Sequence, residues 1–100
     1  MEITITQQEN QMTAKLSGRL DTPASLDAAN QLQPMIDNAS KTLVLDCTDM
    51  SYISSSGLRI FLSIRKAAGA QGGKVIVRGM NDDIRQIFMM TGFLNLFTIE

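Results

Sequence analysis

Three serines stand in a row at Ser54, Ser55 and Ser56, followed by Gly57 and then by Leu58, Ile60, Phe61 and Leu62. Serine is a poor residue inside a helix and a good one at its start, where its hydroxyl accepts a backbone N–H. A serine at a helix start can also carry a phosphoryl group. The free N–H groups and the positive end of the helix dipole stabilise its charge of roughly −1.5 to −2. The residues alone leave both roles open. A second candidate group is acidic: Asp21, Asp46 and Asp49 stand near predicted strand ends. Carboxylates so placed bind Mg²⁺, serve acid–base chemistry or cap loop N–H groups. No nucleophile or base accompanies them, which favours capping.

Other chemistry is removed by composition. Histidine is absent, which excludes histidine-built zinc sites and every Ser–His or Cys–His pair. Cys47 is the only cysteine, so no intrachain disulfide exists and a reduced, inert thiol is expected. Ser63-Ile64-Arg65-Lys66 has the spacing of a Ser-Lys nucleophile pair, but its partner motifs are missing. Ser63 and Lys66 are therefore expected on the outer side of a helix. "GAQGG", residues 69–73, lacks phosphate-loop spacing and reads as a helix stop. Met80, Met89 and Met90 are expected mainly to fill core gaps. No complete catalytic set remains, and the expectation is a non-enzyme with no cofactor and no metal.

The net charge is −1, with the basic residues scattered, which argues against nucleic acid or an acidic membrane as the main partner. The N-terminus has no signal-like pattern, and no run approaches the ~18 apolar residues of a membrane span. A cytoplasmic protein, monomeric when free, is expected. With 100 residues, 44% apolar and 19% charged, the chain suits one soluble domain.

The elements that must position the serines follow from hydrophobic spacing. Ile3 and Ile5 alternate with threonines, and Met12, Ala14 and Leu16 alternate again, predicting an antiparallel hairpin. Thr22 and Pro23 look like a helix entry, with Thr22 as cap. Leu26, Ala29, Leu32, Ile36 and Ala39 supply an apolar face, and Pro34 predicts a kink in one curved helix. "KTLVLDC" reads as a central strand and "TDMSYISSS" as the loop after it. A helix from about Ser56 to the "GAQGG" stop follows. "KVIVRG" is a strand, Asn81 to Gly92 a helix and "LFTIE" a last strand. The order ββαβαβαβ predicts an α/β domain with a mixed, mostly parallel sheet of about five strands and three to four helices.

"LVLDCTDMSYISSSGLRIFLSIRKAAGAQGGKVIV" resembles the core of the STAS domain of anti-sigma factor antagonists. The upstream "LSGRLDTPAS" and the downstream "DDIRQIFMMTGFLNLF" are similar to that family as well. The likeness spans residues 1–100 nearly throughout. It implies a protein that binds an anti-sigma factor which is also a serine kinase, and that lets go once phosphorylated. A PP2C-type phosphatase would reset it. The family's phosphoacceptor is the first serine of "SSG", which maps to Ser55. Ser56 and Gly57 follow it in the partner-binding loop. Asp21 matches the family's aspartate after the second strand, and Asp46 its polar residue at the end of the third. One departure stands beside the acceptor: Ser54 replaces an aspartate common in the family. Ser54 can itself cap the helix. The other function the resemblance allows is a STAS-like scaffold or transporter-associated subunit with no phospho-switch.

A phosphate on Ser55 would add charge beside Asp21, Asp46 and Asp49, and the helix start would retain it without refolding. Against a partner's own phosphates or acids the same charge is repulsive. Arg59, one helical turn after Ser55, either pairs with the phosphate or stays a solvated surface residue.

Overall fold

Alternation at both ends of a short turn folds the chain back on itself. In the computed structural model, which describes residues 1–100, β1 (Glu2–Gln7) pairs antiparallel with β2 (Gln11–Leu20). Ile3 stands opposite Leu16 and Ile5 opposite Ala14, so one face of the hairpin is apolar. The chain continues through α1 (Thr22–Gln31), α2 (Gln33–Asp37), β3 (Thr42–Ile53), α3 (Ser55–Gln71), β4 (Lys74–Arg78) and α4 (Asp82–Met90). A 3-10 turn (Phe93–Leu96) and the short β5 (Thr98–Ile99) complete it. The strands lie in chain order, β1-β2-β3-β4-β5, and every pair after the hairpin is parallel. This is the predicted α/β architecture.

All four helices send buried residues into one cluster with Leu43, Leu45 and Cys47 of β3 and Val75 and Val77 of β4. The helices therefore cover one face of the sheet. Phe61 of α3 and Phe88 of α4 are fully buried and meet edge to face, with ring centroids 6.0 Å apart. On the other face, Val44 and Ile76 are register partners and are buried outside that cluster. Thr13 and Thr98 extend their row on either side. Lys15, Asp46 and Arg78 form the next row, and Arg78 reaches Glu100 at 3.4 Å. That face is alternately charged and offers no exposed apolar surface at its centre.

Six details differ from the sequence expectation. Asp21, not Thr22, caps α1: its Oδ1 accepts the Ala24 N–H at 3.0 Å. The buried face of the first helical stretch is Ser25, Ala28, Leu32, Met35 and Ala39, while Leu26 is 77% exposed. Both sets have helical spacing, and packing against the sheet selects this one. Pro34 breaks the predicted curved helix into α1 and α2 at Leu32 rather than kinking it. β3 runs on through "TDMSYI" to Ile53, so the predicted loop is strand; parallel pairing with β2 holds it extended despite its polar residues. The predicted last strand shrinks to Thr98–Ile99, because Phe93–Leu96 wind into the 3-10 turn. Met89 and Met90 are exposed, at 60% and 79%, so apolar surface is left over where core filling was expected.

Two apolar substitutions separate core from surface. Phe61→Ala is expected to lower the unfolding free energy by about 3–5 kcal/mol, and Leu26→Ala to change it by less than about 0.5 kcal/mol. Urea unfolding followed by circular dichroism reads both; a comparable loss for the two would contradict this placement of the α1 face.

Candidate functional site

β2 and β3 run parallel and end side by side, with Leu20 the register partner of Ile53. The next residue of each strand is a helix cap, Asp21 for α1 and Ser54 for α3. Two helix starts therefore lie together at one end of the sheet. They are tied across the strands: the Ser54 N–H donates to the Leu20 carbonyl at 2.8 Å. Ser25 Oγ donates to the Asp21 carbonyl at 2.8 Å and secures the neighbouring turn.

The three serines divide by position. Ser54 is buried; its Oγ accepts the Gly57 N–H at 3.1 Å, and its carbonyl accepts the Leu58 N–H at 2.9 Å. Its hydroxyl is committed to the cap. Ser55 is the first helical residue and is exposed; Ser56 is half-buried behind it. The N–H groups of the first turn have no partner within an α-helix, which leaves an electropositive surface around Ser55. α3 thus opens at Ser55, one residue earlier than the sequence expectation.

Gly57 completes the motif by what it lacks. A Cβ there would stand 2.8 Å from Leu20 Cγ and 2.9 Å from Ile53 Cγ1. Leu20 and Ile53 are buried and have no room to yield. Only glycine lets α3 settle this closely on the strand ends.

The carboxylates do not gather. Asp46 lies within β3, roughly 20 Å of extended strand before Ile53. Burial alone would raise its pKa. The Thr48 hydroxyl at 2.6 Å, the Thr48 N–H at 3.1 Å and the nearby Arg78 and Lys15 cations outweigh that and hold it below the usual value. Asp49 is also on β3 and pairs with Lys15 at 3.2 Å. No trio of acids, histidines or cysteines is close enough to hold a metal. Of the predicted acidic residues, the structure brings only Asp21 to the serines, as a cap. Asp46 and Asp49 belong to the charged sheet face, a correction that follows from β3 being strand where a loop was expected. Cys47 is buried, and burial together with Asp46 pushes its thiol pKa up to about 12, so it stays neutral.

Arg59 is exposed on α3 and has no ion-pair partner, while its carbonyl accepts the Ser63 hydroxyl at 3.0 Å. Ser63 and Lys66 are both exposed, as expected. Two residues not singled out from the sequence also stand at this end. Arg19 lies 4.5 Å over the ring of Tyr52, its register partner, and its Nε is 3.9 Å from Asp21 Oδ2. Their juxtaposition depends on the parallel register of β2 and β3, which no local spacing reports. The one local sign is the Arg-x-Asp spacing at a strand exit.

The chain thus delivers a capped, exposed serine at a helix start, on a five-stranded mixed sheet with its helices on one side. It belongs to the STAS domain family, whose model matches residues 2–100. The anti-sigma-B factor antagonist of Staphylococcus aureus is 25% identical over 100 residues, spanning 100% of this chain and 93% of that protein. Unphosphorylated SpoIIAA, an anti-sigma factor antagonist, superposes with a TM-score of 0.76 at 17% identity, over 99% of this chain and 87% of that one. The phosphorylated form of SpoIIAA, from Bacillus, gives 0.75 at 18%, over 99% and 91%. An anti-sigma factor antagonist from Mycobacterium paratuberculosis gives 0.82 at 19%, over 98% and 83%.

The serine roles are separable by stability. Ser54→Ala removes the cap and is expected to cost about 1 kcal/mol, whereas Ser55→Ala, exposed and outside the cap bond, is expected to stay within about 0.5 kcal/mol of wild type. Chemical denaturation of both variants checks this; the opposite order would place the cap at Ser55.

Proposed function

We propose that this protein is an anti-sigma factor antagonist that works by partner switching, with Ser55 as the phosphoacceptor. The observation that carries the proposal is the division of labour within the triplet. Ser54 is buried and spent on the cap, and Ser55 is presented beside it on a rigid helix start. The similarity to anti-sigma factor antagonists over the whole chain supports the partner class.

In the unmodified state the surface at Ser54–Gly57 carries no formal charge, and an anti-sigma factor docks on it with modest desolvation cost. That partner, acting as a serine kinase, transfers the γ-phosphoryl group of ATP to Ser55 Oγ, the bond from the γ-phosphorus to the bridging oxygen breaking to release ADP; the hydroxyl proton leaves to the partner's base. The product is a dianion at the middle of the contact. Its repulsion by the partner's acidic and phosphate groups, and the cost of burying it, drive release. A PP2C-type phosphatase hydrolyses the ester and restores binding. Similar superposition on the unphosphorylated and phosphorylated forms of SpoIIAA, 0.76 and 0.75, agrees with a switch that leaves the fold unchanged. Asp21, Ser56, Gly57 and Arg59 frame the contact in this account.

Incubation with the cognate anti-sigma factor kinase and ATP, followed by phosphosite mapping, is expected to place one phosphate on Ser55. Labelling should vanish in Ser55→Ala and persist in Ser54→Ala. Calorimetry should show Ser55→Asp weakening the complex about tenfold or more. Undiminished labelling of Ser55→Ala would contradict the site, and a complex indifferent to Ser55→Asp would point to a constitutive scaffold.

A further inference from the structure

At the same end of the sheet as the proposed acceptor stands a cation that no hydrogen bond holds. Arg19 is the penultimate residue of β2, and its guanidinium is bracketed by Tyr52 of β3 and Asp21 at the start of α1. Its Nε lies 3.9 Å from Asp21 Oδ2, too far for a hydrogen bond. The other oxygen of Asp21 is committed to the Ala24 N–H. The Arg19 side chain is 62% exposed, and an ion pair so placed contributes little. Five donors of a planar fork thus lie at the strand exit with no hydrogen-bonded acceptor, in a geometry suited to phosphate.

We propose that Arg19 receives the phosphoryl group of phosphorylated Ser55, exchanging its loose contact with Asp21 and its place over Tyr52 for a charge-assisted contact with the phosphate. This rests on Ser55 being the modified residue. Arg19 and Tyr52 are register partners, and the chain advances only from Tyr52 through Ile53 and Ser54 to reach Ser55. The backbones of residues 19 and 55 are therefore roughly 10 Å apart, a gap that an extended arginine and a phosphoserine span together. A dianion with three acceptor oxygens attracts the guanidinium more strongly than half of a shared carboxylate. Asp21 loses nothing structural in the exchange, because its capping oxygen is the other one. Arg59, one turn along α3, is the rival cation. It lacks the flanking ring and carboxylate that hold Arg19 at the strand exit.

The arginine would give the switch a memory on this protein's own surface. Phosphorylation would remove the exposed guanidinium from the docking face at the same moment as it adds the phosphate, so two features of the surface change together. Tyr52 is the only tyrosine and the chain has no tryptophan, so the emission comes from the one ring that lies under the Arg19 guanidinium.

The test uses the full chain carrying phosphoserine at position 55, installed by genetic encoding so that no kinase is needed. Phosphorus NMR titration is expected to show the second phosphate ionisation about 0.5 unit or more lower in wild type than in Arg19→Gln. Arg59→Gln is expected to move it less. Tyr52 emission is expected to change between serine and phosphoserine forms, and the change should be lost in Arg19→Gln. Equal midpoints in wild type and Arg19→Gln, or a larger effect from Arg59→Gln, would overturn the assignment. Unchanged Tyr52 emission would overturn the exchange. None of these readings depends on whether a kinase selects Ser55, which the labelling experiment decides separately.

Discussion

The start of α3 is clamped to the ends of two parallel strands, and the arrangement of the site depends on that clamp. It has three parts: the Ser54 N–H on the Leu20 carbonyl at 2.8 Å, the Ser54 hydroxyl on the Gly57 N–H at 3.1 Å, and the bare Cα of Gly57 against Leu20 and Ile53. The first fixes the height of the helix over β2, the second closes its first turn, and the third sets how near it lies. With these in place Ser55 has one direction left, outward. A serine one position earlier is buried by the same geometry, and one position later is half-buried.

The rest of the fold keeps that clamp still. Phe61 and Ile64 on α3, Phe88 on α4 and the β3 residues Leu43 and Leu45 are fully buried in one cluster, so the helix behind Ser55 is anchored along its length. On the proposed reading, a new charge at Ser55 would act at the end of that packed frame. Its energy would go into the local surroundings: the free N–H groups of Ser55 and Ser56, the Arg19 guanidinium and the carboxylate of Asp21. The charged row across the open sheet face, from Lys15 through Asp46 to Arg78, is already paired, Lys15 with Asp49 and Arg78 with Glu100, and lies well down β3 from the serines.

Much of this was legible in the sequence. Period-two alternation found the hairpin, and continuous apolar runs found β3 and β4. The glycines at 72 and 92, both in the left-handed region, marked helix ends as expected. The Ser-Ser-Ser-Gly run was legible as a helix start. What was not legible came from long-range pairing. "TDMSYI" has a loop's composition, and only pairing with Ser17–Leu20 keeps it in the sheet. Asp46 therefore stands mid-strand rather than at a strand end, and Asp49 beside it rather than in a loop near the serines. Arg19 and Tyr52 leave no local signal for the same reason, since their contact exists only in the β2–β3 register. The face of α1 is not settled by local spacing either: the set with Leu26 and Ala29 and the set with Ser25 and Ala28 both have helical period, and only packing on the sheet selects the second.

The central claim is that phosphorylation changes charge at one end of a fixed frame. Backbone amide chemical shifts of the serine and phosphoserine forms test it most directly. The account predicts perturbations confined to residues 19–22 and 52–59, with β1, β4 and α4 unmoved. Shifts spread through α4 and the Phe61–Phe88 contact would show that the frame itself rearranges and would contradict it.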